Sequence, residues 1–291
     1  MASLARQGSV KVVESGIVVA PTRDRALLRA FLERDRLRAA YAICDLDARE
    51  FGRTRWGVAT RAGETIAVVL EYTGLTPQPL FVMGEAAGIS EVLRQVIRPR
   101  LAYLAADAEH LPAIEQVYRI DPGPPMLRMW VDRTSFRPYS GVAMRLLPVE
   151  IGDLNRLYGY GFTSWLPAAS ISSGVYYGIR DGGRLVAAAG THVISPEARL
   201  AAVGNVMTHP DYRARGFAKL TTSAVTQELL RTCDEVVLNV RSDNPAAIAA
   251  YTALGYREHN RFEERLSRRR NSAWDSIVNA LRRALVGRQP S

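Results

Sequence analysis

Arg213-Ala214-Arg215-Gly216-Phe217-Ala218 is the stretch of this 291-residue sequence whose residue types and spacing best suit chemistry. An apolar run, Leu200–Thr208, leads into it through His209-Pro210-Asp211-Tyr212. A helical pattern follows over residues 216–231, with Leu220, Ala224, Val225 and Leu229 on one face. A helix N-terminus presents amide N–H groups without intrahelical partners and the positive end of a dipole. Gly216 and Ala218 leave room for an anion there, and Arg213 and Arg215 add charge. The spacing predicts a pyrophosphate cradle at the end of a strand. Taken singly, Gly216 reads equally as a turn residue and Arg213 as a solvated charge.

The elements that must position this cradle alternate along the second half. The patterns predict strands over 142–147, 175–180, 184–194, 200–208, 235–240 and 256–266. Asp181-Gly182-Gly183 is a hairpin turn, because glycine supplies positive φ at no steric cost. A helix is predicted over 149–158 and another over 245–254. In the latter Asn244 suits the cap, Pro245 the first turn and Gly255 the position after the end. Two proline-rich breaks, Asp121-Pro122-Gly123-Pro124-Pro125 and Arg137-Pro138-Tyr139-Ser140-Gly141, set the domain boundary near residue 138.

Arg-x-x-Gly-x-Ala preceded by His-Pro-x-Tyr resembles the coenzyme A motif of the GNAT acyltransferases. Residues 175–184, Gly190-Thr191-His192, 204–218 and 238–256 look like the glycine N-acyltransferase-like branch of that family. The resemblance covers residues 140–266. It implies a mixed α+β fold and an acyl-CoA-dependent N-acyltransferase, most often with acetyl-CoA as donor, that moves the acyl group directly to an amine. By the same resemblance the backbone of Val206, Met207 and Thr208 pairs with pantetheine. The amides of Ala214, Arg215, Gly216, Phe217, Ala218 and Lys219, with Arg213, hold the pyrophosphate. Asn244 hydrogen-bonds the pantetheine, and Tyr251 stands near the sulfur to protonate the leaving thiolate. A core aromatic beside Ile248 and Leu254 is the other reading of Tyr251.

The base is less evident. No acidic residue lies on 200–208. His192 is the candidate, since imidazole titrates near neutrality, and Asn205 could hold a water. A satisfied structural histidine is the alternative for His192, and His209 reads as structural. The acceptor implied is a small amine or amino acid. No metal is expected, because Cys44 and Cys233 lack ligand spacing. A non-catalytic CoA-binding regulatory module is the competing function.

The first half repeats the element order more weakly. An arginine-rich helix is predicted over 24–38, a hairpin over 56–60 and 65–72, strands over 80–83 and 101–105, and a helix over 89–97. Trp56-Gly57-Val58 and Tyr177-Gly178-Ile179 occupy matching places. The expectation is tandem GNAT-like domains, each a twisted mixed sheet flanked by helices: a degenerate one over 1–137, a catalytic one over 138–266, and a basic amphipathic tail over 267–291. The cradle position of the first half, Gly84-Glu85-Ala86-Ala87-Gly88, carries no arginine and a carboxylate instead. That half is expected not to bind CoA, but to shape the acceptor pocket or mediate homodimerisation.

The net charge of +9 and a pI near 9.9 point to an anionic partner or to a solvated basic surface. All basic residues except Lys11 and Lys219 are arginine. With no helix-turn-helix or zinc signature, nucleic acid is not the expected partner. No apolar run approaches the ~20 residues of a membrane span. The polar residues 1–11 lack a signal-peptide core, so a cytoplasmic location with reduced thiols is expected. After Ser267-Arg268-Arg269-Arg270, Trp274, Ile277, Val278, Leu281 and Leu285 recur at helical spacing. They suit either packing on the protein itself or an anionic surface.

Overall fold

The computed structural model describes residues 11–12, 16–161 and 166–270. The amphipathic pattern from Trp274 to Leu285 lies outside the described residues. The chain begins with β1 (Lys11–Val12), β2 (Ile17–Thr22), α1 (Arg25–Leu32), α2 (Ala40–Cys44) and α3 (Ala48–Phe51). Next come β3 (Thr54–Arg61), β4 (Glu64–Tyr72), β5 (Gln78–Gly84), α4 (Ala86–Gln95), β6 (Leu101–Ala106), α5 (Leu111–Glu115), β7 (Tyr118–Ile120) and β8 (Met126–Asp132). The second half adds β9 (Met144–Arg145), α6 (Ile151–Tyr158), α7 (Ala168–Ser173), β10 (Tyr177–Asp181), β11 (Arg184–Ser195) and β12 (Leu200–Thr208). It ends with α8 (Phe217–Leu229), β13 (Glu235–Arg241), α9 (Pro245–Ala253) and β14 (Arg257–Arg269).

These elements form two compact units that are not contiguous in sequence. The first takes the described residues of Met1–Phe31, Gly52–Gly123 and Phe262–Ser291; the second takes Leu32–Phe51 and Pro124–Arg261. The expected boundary at residue 138 therefore falls inside the second unit. Residues 267–269, expected to open the tail, instead end β14, where Ser267 pairs with both Ala102 and Ile120.

In the first unit β2, β3, β4 and β5 run antiparallel, β5 and β6 run parallel, and β14 closes antiparallel on β6. Helix α4 connects the parallel pair, and its Ile89, Val92 and Leu93 are fully buried with Val69, Val82 and Leu104. Burying each such side chain contributes about 1.5–3 kcal/mol.

The second unit repeats that order. Strands β9 to β12 are antiparallel, β12 and β13 parallel with α8 between them, and β8 closes antiparallel on β13. The closing strand of the second unit thus comes from the first half of the chain, and that of the first unit from the end of the chain. The sequence patterns treated Met126–Val131 as a run between two breaks; its full pairing from Arg241↔Met126 to Glu235↔Asp132 makes it a core strand. The strand expected over 142–147 shrinks to Met144–Arg145, because Pro148 lacks an amide donor and Val142 is left 83% exposed. The helix expected over 24–38 ends at Leu32 in a short 3-10 turn. Helix α9 ends as its sequence predicts: Gly255 adopts φ +91°, and its amide donates to the Thr252 carbonyl.

Candidate functional site

The parallel pairing of β12 with β13 runs from Leu200↔Glu235 to Val203↔Leu238 and stops there. Beyond it β12 continues through Val206, Met207 and Thr208 on β11, with Ala188↔Met207 and Ala187↔Thr208, while β13 continues on β8. The two strands part, and a slot opens between their C-terminal ends. The hydroxyl of Thr208 and the amide oxygen of Asn239 are buried beside it without a hydrogen-bond partner. Orphaned buried polar atoms of this kind are costly in an empty protein and suit a ligand with amide groups.

Past Thr208 the chain makes a 3-10 turn over Pro210–Tyr212 and enters α8. Buried His209 orders this turn, its Nδ1 accepting from the Asp211 amide at 3.3 Å. Ala214 and Gly216 both take positive φ, +61° and +77°. Gly216 is the cap residue of α8 and has no side-chain cap, so the amides of Phe217, Ala218 and Lys219 face outward without intrahelical partners. The guanidinium of Arg215 lies 4.9 Å over the Tyr212 ring, and Nζ of Lys219 lies 3.8 Å over the Tyr139 ring. Arg213 is exposed. The predicted cradle residues are therefore brought together at one helix start, with Arg215 and Lys219 held by aromatic rings.

Two side chains expected on the other side of the slot have structural duties. Asn244 caps α9, its Oδ1 accepting from the Ala247 amide at 3.2 Å. Tyr251 is buried, 6.1 Å between ring centroids from Tyr256, and burial pushes its phenol up to about 12. It therefore stays protonated through neutral pH, as a proton donor must.

Two bulges build the centre. Asn205 and Val206 together oppose Ala189, and Asn205 takes φ +52°. One step along, His192 is the extra residue between Thr191↔Val203 and Val193↔Ala202. Bulges re-aim side chains, and here they turn Asn205 and His192 toward each other. His192 Nε2 lies 3.2 Å from Asn205 Oδ1. The amide nitrogen of Asn205 donates to Tyr176 Oη at 3.0 Å, Tyr176 Oη donates to the Thr191 carbonyl at 3.0 Å, and Tyr158 Oη donates to the Asn205 carbonyl at 2.6 Å. Glycines make the space: a β-carbon at Gly190 would stand 2.1 Å from the Tyr176 ring. The imidazole keeps a solvent-open face but is crowded on its other sides. That desolvation, then the nearby charge of Arg128, moves its pKa below the usual histidine value, the Asn205 bond opposing in part.

The sequence patterns missed Tyr41. It lies on α2, which packs on β11 and β12, and its hydroxyl is 2.9 Å from Nδ1 of His192. Buried Arg128 of β8 stacks over the Tyr41 ring at 5.0 Å. Arg36 ties this segment down through Glu235 at 2.6 Å and the Ala198 carbonyl, and Ser195 Oγ bonds Asp47 at 2.7 Å. No local signal marks Tyr41, which is 151 residues from its partner. The bulge at Asn205 had one: a Gly-Asn pair inside an apolar strand. A hollow of about 530 Å³ beside α6, lined by residues including Asp153, Tyr160 and Arg184, touches neither His192 nor the cradle.

The basic cluster at Arg268–Arg270 is absorbed by the first unit. Arg268 pairs with Asp121 at 3.1 Å, Arg269 donates to the Leu93 carbonyl at 2.9 Å, and Arg270 donates to the Tyr118 carbonyl at 3.0 Å. Among the described residues, no helix is long and apolar enough to cross a membrane.

Residues 176–266 match the FR47-like protein family. Mycothiol acetyltransferase of Tsukamurella paurometabola is 40% identical over 80 residues, which cover 27% of this chain and 27% of that protein. Among solved structures, a Drosophila protein superposes with a TM-score of 0.68 at 17% identity, covering 87% of this chain and 99% of its own. A tandem GNAT protein from the clavulanic acid biosynthesis pathway superposes with a TM-score of 0.53 at 13% identity, covering 88% and 99%. The fold is thus GNAT-like in both halves of the chain. The FR47-like match covers residues 176–266, and the solved structures show a likeness of fold.

Proposed function

We propose that the second unit is an acyl-CoA-dependent N-acyltransferase, using acetyl-CoA or another acyl-CoA. The observation that carries this reading is the parting of β12 and β13 after Val203↔Leu238, with the bare helix start at Gly216 beyond it. Pantetheine fits the slot through the backbone of Val206–Thr208 and through Thr208 and Asn239. The pyrophosphate fits the amides from Ala214 to Lys219 with Arg213 and Arg215. The thioester supplies an electrophilic carbonyl for direct attack by the amine. Tyr251 remains an acid for the departing thiolate, and His192, kept neutral, is the base. The acceptor is a small amine or amino acid, in line with the glycine N-acyltransferase-like pattern.

The first unit is proposed as a copy without a cradle. Only Glu85 separates β5 from α4, where the second unit has the eight residues from His209 to Gly216. Glu85 also pairs with Arg61 at 2.8 Å, placing a carboxylate at the helix start.

Thermal melting with and without acetyl-CoA tests the site, because a ligand of the folded state raises the melting temperature, by about 2.7 kcal/mol of stability at a hundredfold its Kd. A shift in the wild type that vanishes in Gly216→Glu is expected, and thiol release from acetyl-CoA with an amine or amino acid should accompany it. A shift without turnover on any amine would make the protein a CoA-binding module. No shift at millimolar acetyl-CoA would overturn the reading.

A further inference from the structure

The hydrogen bonds around His192 fix which of its nitrogens is basic. Tyr176 has one hydroxyl proton, and it goes to the Thr191 carbonyl, which only accepts. Tyr176 must then accept from Asn205, so the Asn205 amide nitrogen faces Tyr176 and its oxygen faces His192. That oxygen only accepts, so Nε2 carries the ring proton. A neutral imidazole has one N–H, which leaves Nδ1 as the bare nitrogen. The Tyr41 hydroxyl, 2.9 Å away, donates to it.

The basic lone pair of His192 is therefore covered by Tyr41. We propose that the acceptor ammonium loses its proton to Tyr41 Oη while Tyr41 passes its own proton to Nδ1 of His192, so that the substrate-facing group of the base is a tyrosine from the first half of the chain. The proposal rests on the N-acyltransferase reading above. In the step one ammonium N–H bond breaks and one Oη–H bond forms; the original Oη–H bond breaks and an Nδ1–H bond forms. Tyr41 ends neutral, His192 ends as imidazolium, and the amine gains the lone pair with which it attacks. Around the pair stand Arg128 on β8, Asn205 on β12, and Tyr158 and Tyr176, which hold Asn205. Desolvation, and then the charge of Arg128, disfavours the imidazolium, so the proton passes on to solvent once transfer is complete. The geometry also gives the Leu32–Phe51 excursion a purpose, since it carries Tyr41 into the second unit.

The test is nitrogen NMR of the full chain labelled at histidine, with the His192 signals assigned by their loss in His192→Gln. The chain has 4 histidines, so the spectrum is tractable. The wild type should show Nε2 protonated and Nδ1 bare but hydrogen-bonded, and Tyr41→Phe should shift the Nδ1 signal toward that of a free lone pair. A proton on Nδ1 in the wild type, or an unmoved Nδ1 signal in Tyr41→Phe, overturns the proposal. Neither readout needs an acceptor. With an amine that supports thiol release, Tyr41→Phe should lower kcat on the order of 10²-fold while keeping the acetyl-CoA melting shift. Turnover equal to wild type overturns the proposal and leaves the transferase standing. A wild type that turns over no amine removes the transferase reading, and the proposal with it.

Discussion

The imidazole of His192 lies directly over Gly204: a β-carbon built there would stand 2.3 Å from Nε2. The atoms in the way belong to a side chain, not to the sheet. Gly204→Ala should therefore displace the ring with little loss of stability and break its bond to Asn205. Thiol release should fall well over tenfold, while the acetyl-CoA melting shift persists. A variant as active as wild type would show that the ring position is immaterial.

Gly255 meets the opposite situation. It holds φ +91°, and a β-carbon there would come within 1.9 Å of the Ser135 carbonyl oxygen, which is backbone. Gly255→Ala combines left-handed strain of about 1–2 kcal/mol with that clash. Urea unfolding should show a lowered midpoint with an unchanged slope. A midpoint matching wild type would contradict the placement of α9 against residues 135 and 136.

Burial holds the His192 pKa below 6.5, so the folded chain binds fewer protons than the unfolded chain between that lowered value and 6.5. The unfolded state gains from acidification there, and stability falls as pH drops below 6.5; above 6.5 the contribution is nil. The rate should follow the neutral ring, with an acid limb centred below 6.5. His192→Gln should abolish that limb. A limb at or above 6.5 would mean that the ring is not desolvated.

Tyr251, pushed up to about 12, should place any alkaline limb beyond the ordinary phenol range near 10. Tyr251→Phe should lower kcat on the order of 10²-fold if the phenol donates to the thiolate. An unchanged kcat would return Tyr251 to the role of a core aromatic beside Tyr256.

Arg36 links the excursion that bears Tyr41 to Glu235 on β13. Arg36→Ala should loosen α2 without touching Gly216. A several-fold loss of turnover with an intact acetyl-CoA shift is expected in parallel assays. Loss of the shift would show that the segment supports the cradle as well.

What was legible in the sequence was local. The Gly216 helix start, the Asn244 cap and the Gly255 end each follow from the conformations one residue permits to its neighbours. The run of Leu200–Thr208 matches its strand end to end. The strand over 142–147 comes out shorter because only Met144 and Arg145 pair with β10, while Val142 and Leu147 are exposed.

The sequence alone determined the open helix start at Gly216, since a glycine, small neighbours and flanking charge in consecutive positions are enough to leave room for an anion there. Tertiary structure alone decided what surrounds His192. The bulges at His192 and Asn205 exist only as mismatches between two strands, and Tyr41 reaches His192 only because the residues from 32 to 51 join the second unit. Register and long-range docking depend on which surfaces meet, and no short window of residues encodes that.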